Sequence, residues 1–174
     1  ASETPPMTPR RPLATALVPV LALLAGCVTE RPANRPQPKP QPAQVTVGKV
    51  WISSTPPQDT DVNGFFDTVD LTIYLFAPNF PASILVPGEF TFELHSKSAP
   101  DAKPIVTWQI SKEAAAAATG SSAVGPYYFF RLSLLDRGGD VMADQTADLV
   151  ATFTPERGGP VKEVVTFRVG RLRS

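Results

Sequence analysis

The stretch Val69-Asp70-Leu71-Thr72-Ile73-Tyr74-Leu75 alternates apolar and polar or amphipathic side chains almost perfectly. A period of two sends successive side chains to opposite faces, so this is an extended strand with one buried face. The same rhythm recurs along the chain. Val45, Val47, Val50 and Ile52 flank Gly48-Lys49, which reads as a strand with a bulge. Phe90, Phe92 and Leu94 alternate with Glu89, Thr91, Glu93 and His95. Ile105 to Ile110 carries Val106, Trp108 and Ile110 on one face, and Tyr127 to Leu135 is a strand rich in aromatics. Ala147 to Thr154 and Val161 to Val169 form a hairpin across Pro155-Glu156-Arg157-Gly158-Gly159-Pro160. About seven short strands separated by turn residues predict an all-β fold, an antiparallel β-sandwich spanning residues 45–174. One helical turn interrupts them. Ser111 is placed to cap Lys112 to Thr119, Ala114 to Ala118 fill it, and Gly120 is expected to end it. This helix reads as a crossover between sheets.

In general layout the pattern resembles immunoglobulin-like or C2-like sandwiches, without the cysteine pair of true immunoglobulin domains. The only cysteine is Cys27, and it stands elsewhere. Arg10 and Arg11 precede an apolar run from Leu13, which ends in Leu24-Ala25-Gly26-Cys27. A basic start, about a dozen apolar residues and a small-residue ending is the layout of an export signal. The run is shorter than the ~20 residues that span a bilayer, and Pro19 interrupts it. Leu24-Ala25-Gly26-Cys27 resembles the lipobox of bacterial lipoproteins. That resemblance implies cleavage before Cys27 and covalent lipid on its thiol. Residues 1–26 are then a signal peptide, with Met7 as the start and residues 1–6 additional. The partner implied is the lipid bilayer, reached through acylated Cys27. Val28 and Thr29 follow where an Asp would favour inner-membrane retention, so the expected location is the cell envelope, outer membrane over inner.

Between the cysteine and the strands lies Arg31-Pro-Ala-Asn-Arg-Pro-Gln-Pro-Lys-Pro-Gln-Pro-Ala-Gln44, with five prolines in fourteen residues and no large apolar side chain. It cannot build a core and favours extended polyproline II, with about 40 Å of reach. Residues 27–44 therefore read as a lipidated cysteine plus a semi-rigid linker.

The segment Asp59-Thr60-Asp61-Val62-Asn63-Gly64-Phe65-Phe66-Asp67-Thr68-Val69-Asp70 puts four carboxylates into twelve positions. Ca²⁺ takes six to eight hard oxygens from a tightly turned loop. Asp59, Asp61 and Asn63 alternate, Gly64 permits a sharp turn, Phe65 offers its carbonyl, and Asp67 and Asp70 would complete the shell. The stretch resembles the Asp-x-Asp-x-Asn-Gly loops of EF-hand and dockerin-type repeats, which implies Ca²⁺ as a cofactor. It departs from them in its Asp closing position and its strand-like flanks. The competing reading is a polar turn in which Asp, Asn and Gly do only turn chemistry.

Sixteen basic and sixteen acidic residues balance, and no basic run occurs, which leaves no electrostatic reason to expect nucleic acid. His95 is the only histidine, no Gly-x-Ser-x-Gly elbow is present, and no glycine-rich phosphate loop occurs. Glu89 and Glu93 share a strand face, where alternating charge reads as a wet surface. No catalytic residue is assigned, and a non-enzymatic module is expected. In the block Tyr127-Tyr128-Phe129-Phe130, one alternate pair is core. The other pair either packs on a neighbouring loop or presents an apolar patch. Trp51 and Trp108 are each candidates for the core. The expected function is a membrane-anchored lipoprotein presenting a binding or structural β-sandwich, with an envelope protein or a glycan as partner. The alternatives are a subunit of an envelope assembly or transport complex, and a surface carbohydrate-active accessory or hydrolase.

Overall fold

The computed structural model describes residues 40–142 and 146–171. Pro38–Ser174 forms one compact unit. Among the described residues nine strands appear in chain order, with one short α-helix and a single 3-10 turn at Leu135–Arg137. They are β1 (Lys49–Ser54), β2 (Thr68–Phe76), β3 (Ser83–Ile84), β4 (Gly88–Ser96) and β5 (Val106–Ile110), then α1 (Lys112–Ala117). After it come β6 (Thr119–Ser122), β7 (Gly125–Ser133), β8 (Thr146–Pro155) and β9 (Val161–Arg168). One sheet has the order β1-β2-β7-β6, with β3 paired to β2, and the other has the order β5-β4-β8-β9. Every pairing is antiparallel. With β3 set aside, this is the immunoglobulin arrangement, strands A-B-E-D against C-F-G with one extra strand beside C.

The alternation decides which side chains meet. Leu71, Ile73 and Leu75 of β2 face Phe90, Phe92 and Leu94 of β4 and Leu149, Ala151 and Phe153 of β8 across the interior, and all are buried. The Phe90 ring lies 4.7 Å from Phe153, 5.0 Å from Tyr128 and 5.1 Å from Phe130, so one side chain joins both sheets. Ala151 stands opposite Phe92 in the β4–β8 register, and this small residue leaves room for the large ring. Tyr128 brings a hydroxyl into this apolar layer. It donates to the Val86 carbonyl at 2.8 Å and accepts from the Val86 N–H at 3.0 Å, which satisfies it. Burial raises its pKa, the Val86 hydrogen bond acting in the opposite direction. Trp108 is also core, and its indole N–H donates across to the Ser133 carbonyl at 3.2 Å.

The seven strands read from the sequence are all present. Two short ones, β3 and β6, are additional. The helix is capped by Ser111, whose hydroxyl accepts from the Ala114 N–H at 3.3 Å. It connects β5 in one sheet to β6 in the other, as a crossover should. It stops at Ala117, short of the expected Thr119, because Thr119-Gly120-Ser121-Ser122 pairs with β7. Gly120 is not a helix terminator. It lies beneath the Tyr127 ring, which a Cβ there would approach to 2.5 Å.

Phe90 tests the inter-sheet layer directly. Phe90→Ala should lower stability by about 3–5 kcal/mol, read as a lower urea midpoint with an unchanged slope. A loss under about 1 kcal/mol is incompatible with this packing.

Candidate functional site

The loop between β1 and β2 is pinched at its base. Gln58 and Thr68 form an isolated antiparallel bridge, and the Asp67 N–H donates to the Gln58 carbonyl at 2.8 Å. The excursion between them turns inward on its own side chains. Asp67 is buried, and its carboxylate accepts from the Thr60 N–H at 2.6 Å, the Thr60 hydroxyl at 2.8 Å and the Asp61 N–H at 3.3 Å. Asp59 accepts from the Asn63 N–H at 3.2 Å and the Gly64 N–H at 2.8 Å. Asp61 accepts from the Asn63 backbone at 3.2 Å and its side-chain amide at 3.0 Å. The turn needs left-handed backbone at two places, Val62 (φ 61°) and Gly64 (φ 88°). Glycine accepts that conformation freely, whereas a β-branched valine is strained in it.

One carboxylate oxygen from each of Asp59, Asp61 and Asp67 lies within 4.8 Å of the others. The electrostatics of the three differ. The Asp61 pKa is raised, first by partial desolvation in the loop and then by the Asp59 carboxylate and the charges of Asp140 and Asp59, against the lowering effect of the Asn63 N–H. For Asp67, burial alone would raise the pKa, but the hydrogen bonds from Thr68, Thr60 and the Asp61 backbone outweigh it, and the net shift is downward.

The expected sixth member is not in this group. Asp70 stands inside β2, where the pleat turns it onto the outer face opposite Arg131. The guanidinium holds it with two hydrogen bonds, Nε to Oδ1 at 2.7 Å and Nη2 to Oδ2 at 2.8 Å. That pair lowers the Asp70 pKa, chiefly through the hydrogen bond, with desolvation opposing. Phe65 lies at the loop's exit, where it bridges to Arg171 and its N–H donates to Asn63 Oδ1 at 2.9 Å. Asp140 is a member the sequence did not disclose. It is buried, and its Oδ2 accepts from Asn63 Nδ2 at 2.9 Å across 77 positions of sequence. Gly138-Gly139 before it marks a turn, but nothing local ties that turn to Asn63.

The other candidates sort by face. On the outer face of the β1-β2-β7-β6 sheet, Trp51, Tyr74 and Tyr127 form a row across three strands, with ring centroids 5.3 Å and 5.8 Å apart. Trp51 and Phe129 are exposed there at 43% and 44%, so the outward pair of the aromatic block contributes an apolar surface. The Tyr74 and Ser122 hydroxyls lie 3.2 Å apart within this row. His95 is on the outer face of β4, with Nε2 3.9 Å from Glu93 Oε2. At the loop end of the interior, a cavity of about 30 Å³ is lined by Phe66, Leu94, Trp108, Leu134, Leu149 and Phe167. That is about one water's worth of space in an apolar setting, a packing gap. Cys27 and the arginines before it lie outside the described residues. Comparison with protein families, curated proteins and solved structures finds no match to this chain.

The Asp70–Arg131 pair sets a pH dependence. A folded-state pKa below 3.8 means that the stabilisation is complete above that value and is lost as pH falls through the folded-state pKa. Arg131 is largely exposed, so the pair contributes at most about 1 kcal/mol. Asp70→Asn should therefore lower the urea midpoint at pH 7, and the gap from the parent should narrow progressively as the pH is taken below 3.8. A gap that stays constant over that range would remove the carboxylate's charge from the account.

Proposed function

We propose that this chain is a lipid-anchored lipoprotein of the bacterial cell envelope, at the outer membrane, presenting a non-catalytic β-sandwich as a binding or structural module. The observation that carries the reading is the lone Cys27 closing Leu24-Ala25-Gly26-Cys27 after the apolar run, with the compact unit starting at Pro38 just beyond it. Among the described residues no helix is long and apolar enough to cross a membrane. Attachment through Cys27 then rests on two or three acyl chains, each buried methylene contributing about 0.8 kcal/mol. The outer aromatic row supports the module being a binder. Trp51 and Phe129 offer exposed apolar rings beside the Tyr74 and Ser122 hydroxyls, a mixture suited to the apolar faces and hydroxyl edges of a glycan.

The loop at Asp59, Asp61 and Asp67 is proposed to take Ca²⁺ in a structural role. Three carboxylates converge here, and repulsion from Asp140 and Asp59 adds to the desolvation that chiefly raises the Asp61 pKa. A divalent cation would relieve it and stiffen the link between β1 and β2. Asn63 and Asp140 border the same group and would orient it, whereas Asp70 is committed to Arg131.

Two measurements test these readings. Cys27→Ser should leave the sandwich folded, with unchanged far-ultraviolet circular dichroism, and move the protein from the membrane pellet to the soluble fraction. Continued sedimentation with membranes would rule out the anchor. For calcium, a dissociation constant near 10⁻³ M predicts about 1.4 kcal/mol of stabilisation at 10 mM, or roughly 3–5 °C in melting temperature. Asp59→Asn should abolish that rise. An unshifted melting temperature in the parent at 10 mM calcium leaves the loop as a polar turn.

A further inference from the structure

We infer that the Asn63–Gly64 step is a covalent modification site, an intramolecular deamidation that the folded loop holds shut, with Asp140 as the latch. Of the three asparagines, Asn34, Asn63 and Asn79, only Asn63 precedes a glycine. Asparagine is a thermolabile side chain, and a following glycine removes the Cβ that would otherwise shield the next backbone nitrogen. Here that nitrogen is open. Gly64 has φ 88°, and a Cβ placed on it would meet nothing within 4 Å. Asn63 is exposed, so water reaches the site. The chemistry needs no cation.

All the reacting atoms but one water belong to the loop. The Gly64 backbone nitrogen gives up its proton and attacks Asn63 Cγ. The new bond between them closes a five-membered succinimide. The Cγ–Nδ2 bond breaks, and Nδ2 leaves with that proton as ammonia. Water then opens the ring at either carbonyl. One product is an aspartate at position 63. The other is an isoaspartate, in which the main chain runs through the side-chain carbon. Water is taken up, ammonia is released, and nothing is oxidised or reduced.

The folded loop engages each of these groups. The Gly64 N–H, which must be freed, donates to Asp59 Oδ2 at 2.8 Å. The leaving nitrogen, Asn63 Nδ2, donates to Asp61 Oδ2 at 3.0 Å and to Asp140 Oδ2 at 2.9 Å. Asn63 Oδ1 accepts the Phe65 N–H at 2.9 Å. Closing the ring requires the Gly64 N–H to leave Asp59 and Nδ2 to leave both carboxylates, so the reaction proceeds from an opened loop. Asp59, Asp61 and Phe65 are near neighbours of Asn63 in sequence. Asp140 is 77 positions away and buried, and it reaches Asn63 only from the folded sandwich. It therefore couples the lability of Asn63 to folding. After deamidation, position 63 carries a carboxylate where an amide donated to two others. The latch then lacks its donor and meets like charge. An isoaspartate also adds one main-chain atom to a turn already strained at Val62. The modification is one-way, and it marks molecules whose loop has stood open.

The test follows the full chain by mass spectrometry and peptide mapping, with a calcium chelator present so that the outcome is separate from the loop's calcium titration. Conversion is read as a gain of about one dalton at position 63 and as isoaspartate in the map. The folded parent is expected to convert at least tenfold more slowly than the same chain unfolded in guanidinium chloride. That factor corresponds to about 1.4 kcal/mol of loop opening. Asp140→Ala, with its fold checked by far-ultraviolet circular dichroism, should raise the folded rate at least threefold. Asp140→Asn keeps an acceptor oxygen without the charge and should retain most of the protection. If Asp140→Ala does not fold, Asp59→Ser frees the Gly64 N–H and carries the same threefold criterion. Equal rates in the folded and unfolded parent, no conversion at position 63 in the unfolded chain, or a folded rate unmoved by these variants overturns the inference. An Asp140→Asn chain that converts as fast as Asp140→Ala assigns the protection to charge and overturns the latch.

Discussion

The fold depends on Phe90. Its ring sits between two sheets that no disulfide joins, since the lone cysteine precedes the sandwich. In immunoglobulin domains a covalent bridge links the strands that correspond here to β2 and β8. Here those strands carry Leu71, Ile73, Leu149 and Phe153 instead, all buried, and the layer is closed by aromatic contacts. Phe90 and Phe92 stack, and Phe130, Tyr128 and Phe153 surround them at centroid separations near 5–6 Å. Each such pair contributes about 0.5–1.5 kcal/mol beyond its area. With no cysteine within residues 45–174, the sandwich relies on this kind of burial.

That layer lets the two ends of the sandwich differ. At one end the chain enters along Gln41 and Val47, and the β8–β9 hairpin folds back. At the other end the long β1–β2 loop is free to gather charge, because its base is held by Gln58, Thr68 and the buried Asp67. Asp67 links the two concerns. Its side chain organises the loop, and its backbone carbonyl accepts the Leu134 N–H at 2.8 Å, tying the loop to the end of β7. The charged loop is thus built on the core and does not hang from it.

Much of this was legible from spacing. The period-two pattern located every long strand, because a half-buried strand must alternate. Ser111 announced the helix start through its capping chemistry. β6 escaped because Thr119-Gly120-Ser121-Ser122 has no apolar alternation: it lies at a sheet edge, and Tyr127 covers its glycine. Gln41, whose side-chain amide bonds the Leu85 N–H and carbonyl, escaped because a proline-rich composition describes a backbone and says nothing of a single amide. In the loop, Asp59, Asp61 and Asp67 were recognisable by density and turn residues. Asp70 was misplaced because the loop pattern was continued two residues into a strand, where the pleat turns its side chain onto the outer face beside Arg131. Asp140 was hidden because its contact with Asn63 exists only once the sandwich has formed.

The two tryptophans are distributed so that each reports on a different part of the molecule. Trp108 is enclosed between the sheets and hydrogen-bonded to Ser133, whereas Trp51 lies open on the outer aromatic row. The domain thus carries its own pair of optical probes. A soluble quencher reaches the Trp51 population first, and the emission that survives comes from Trp108 and follows the integrity of the core. Events on the outer sheet face and events in the interior can therefore be told apart without adding any label.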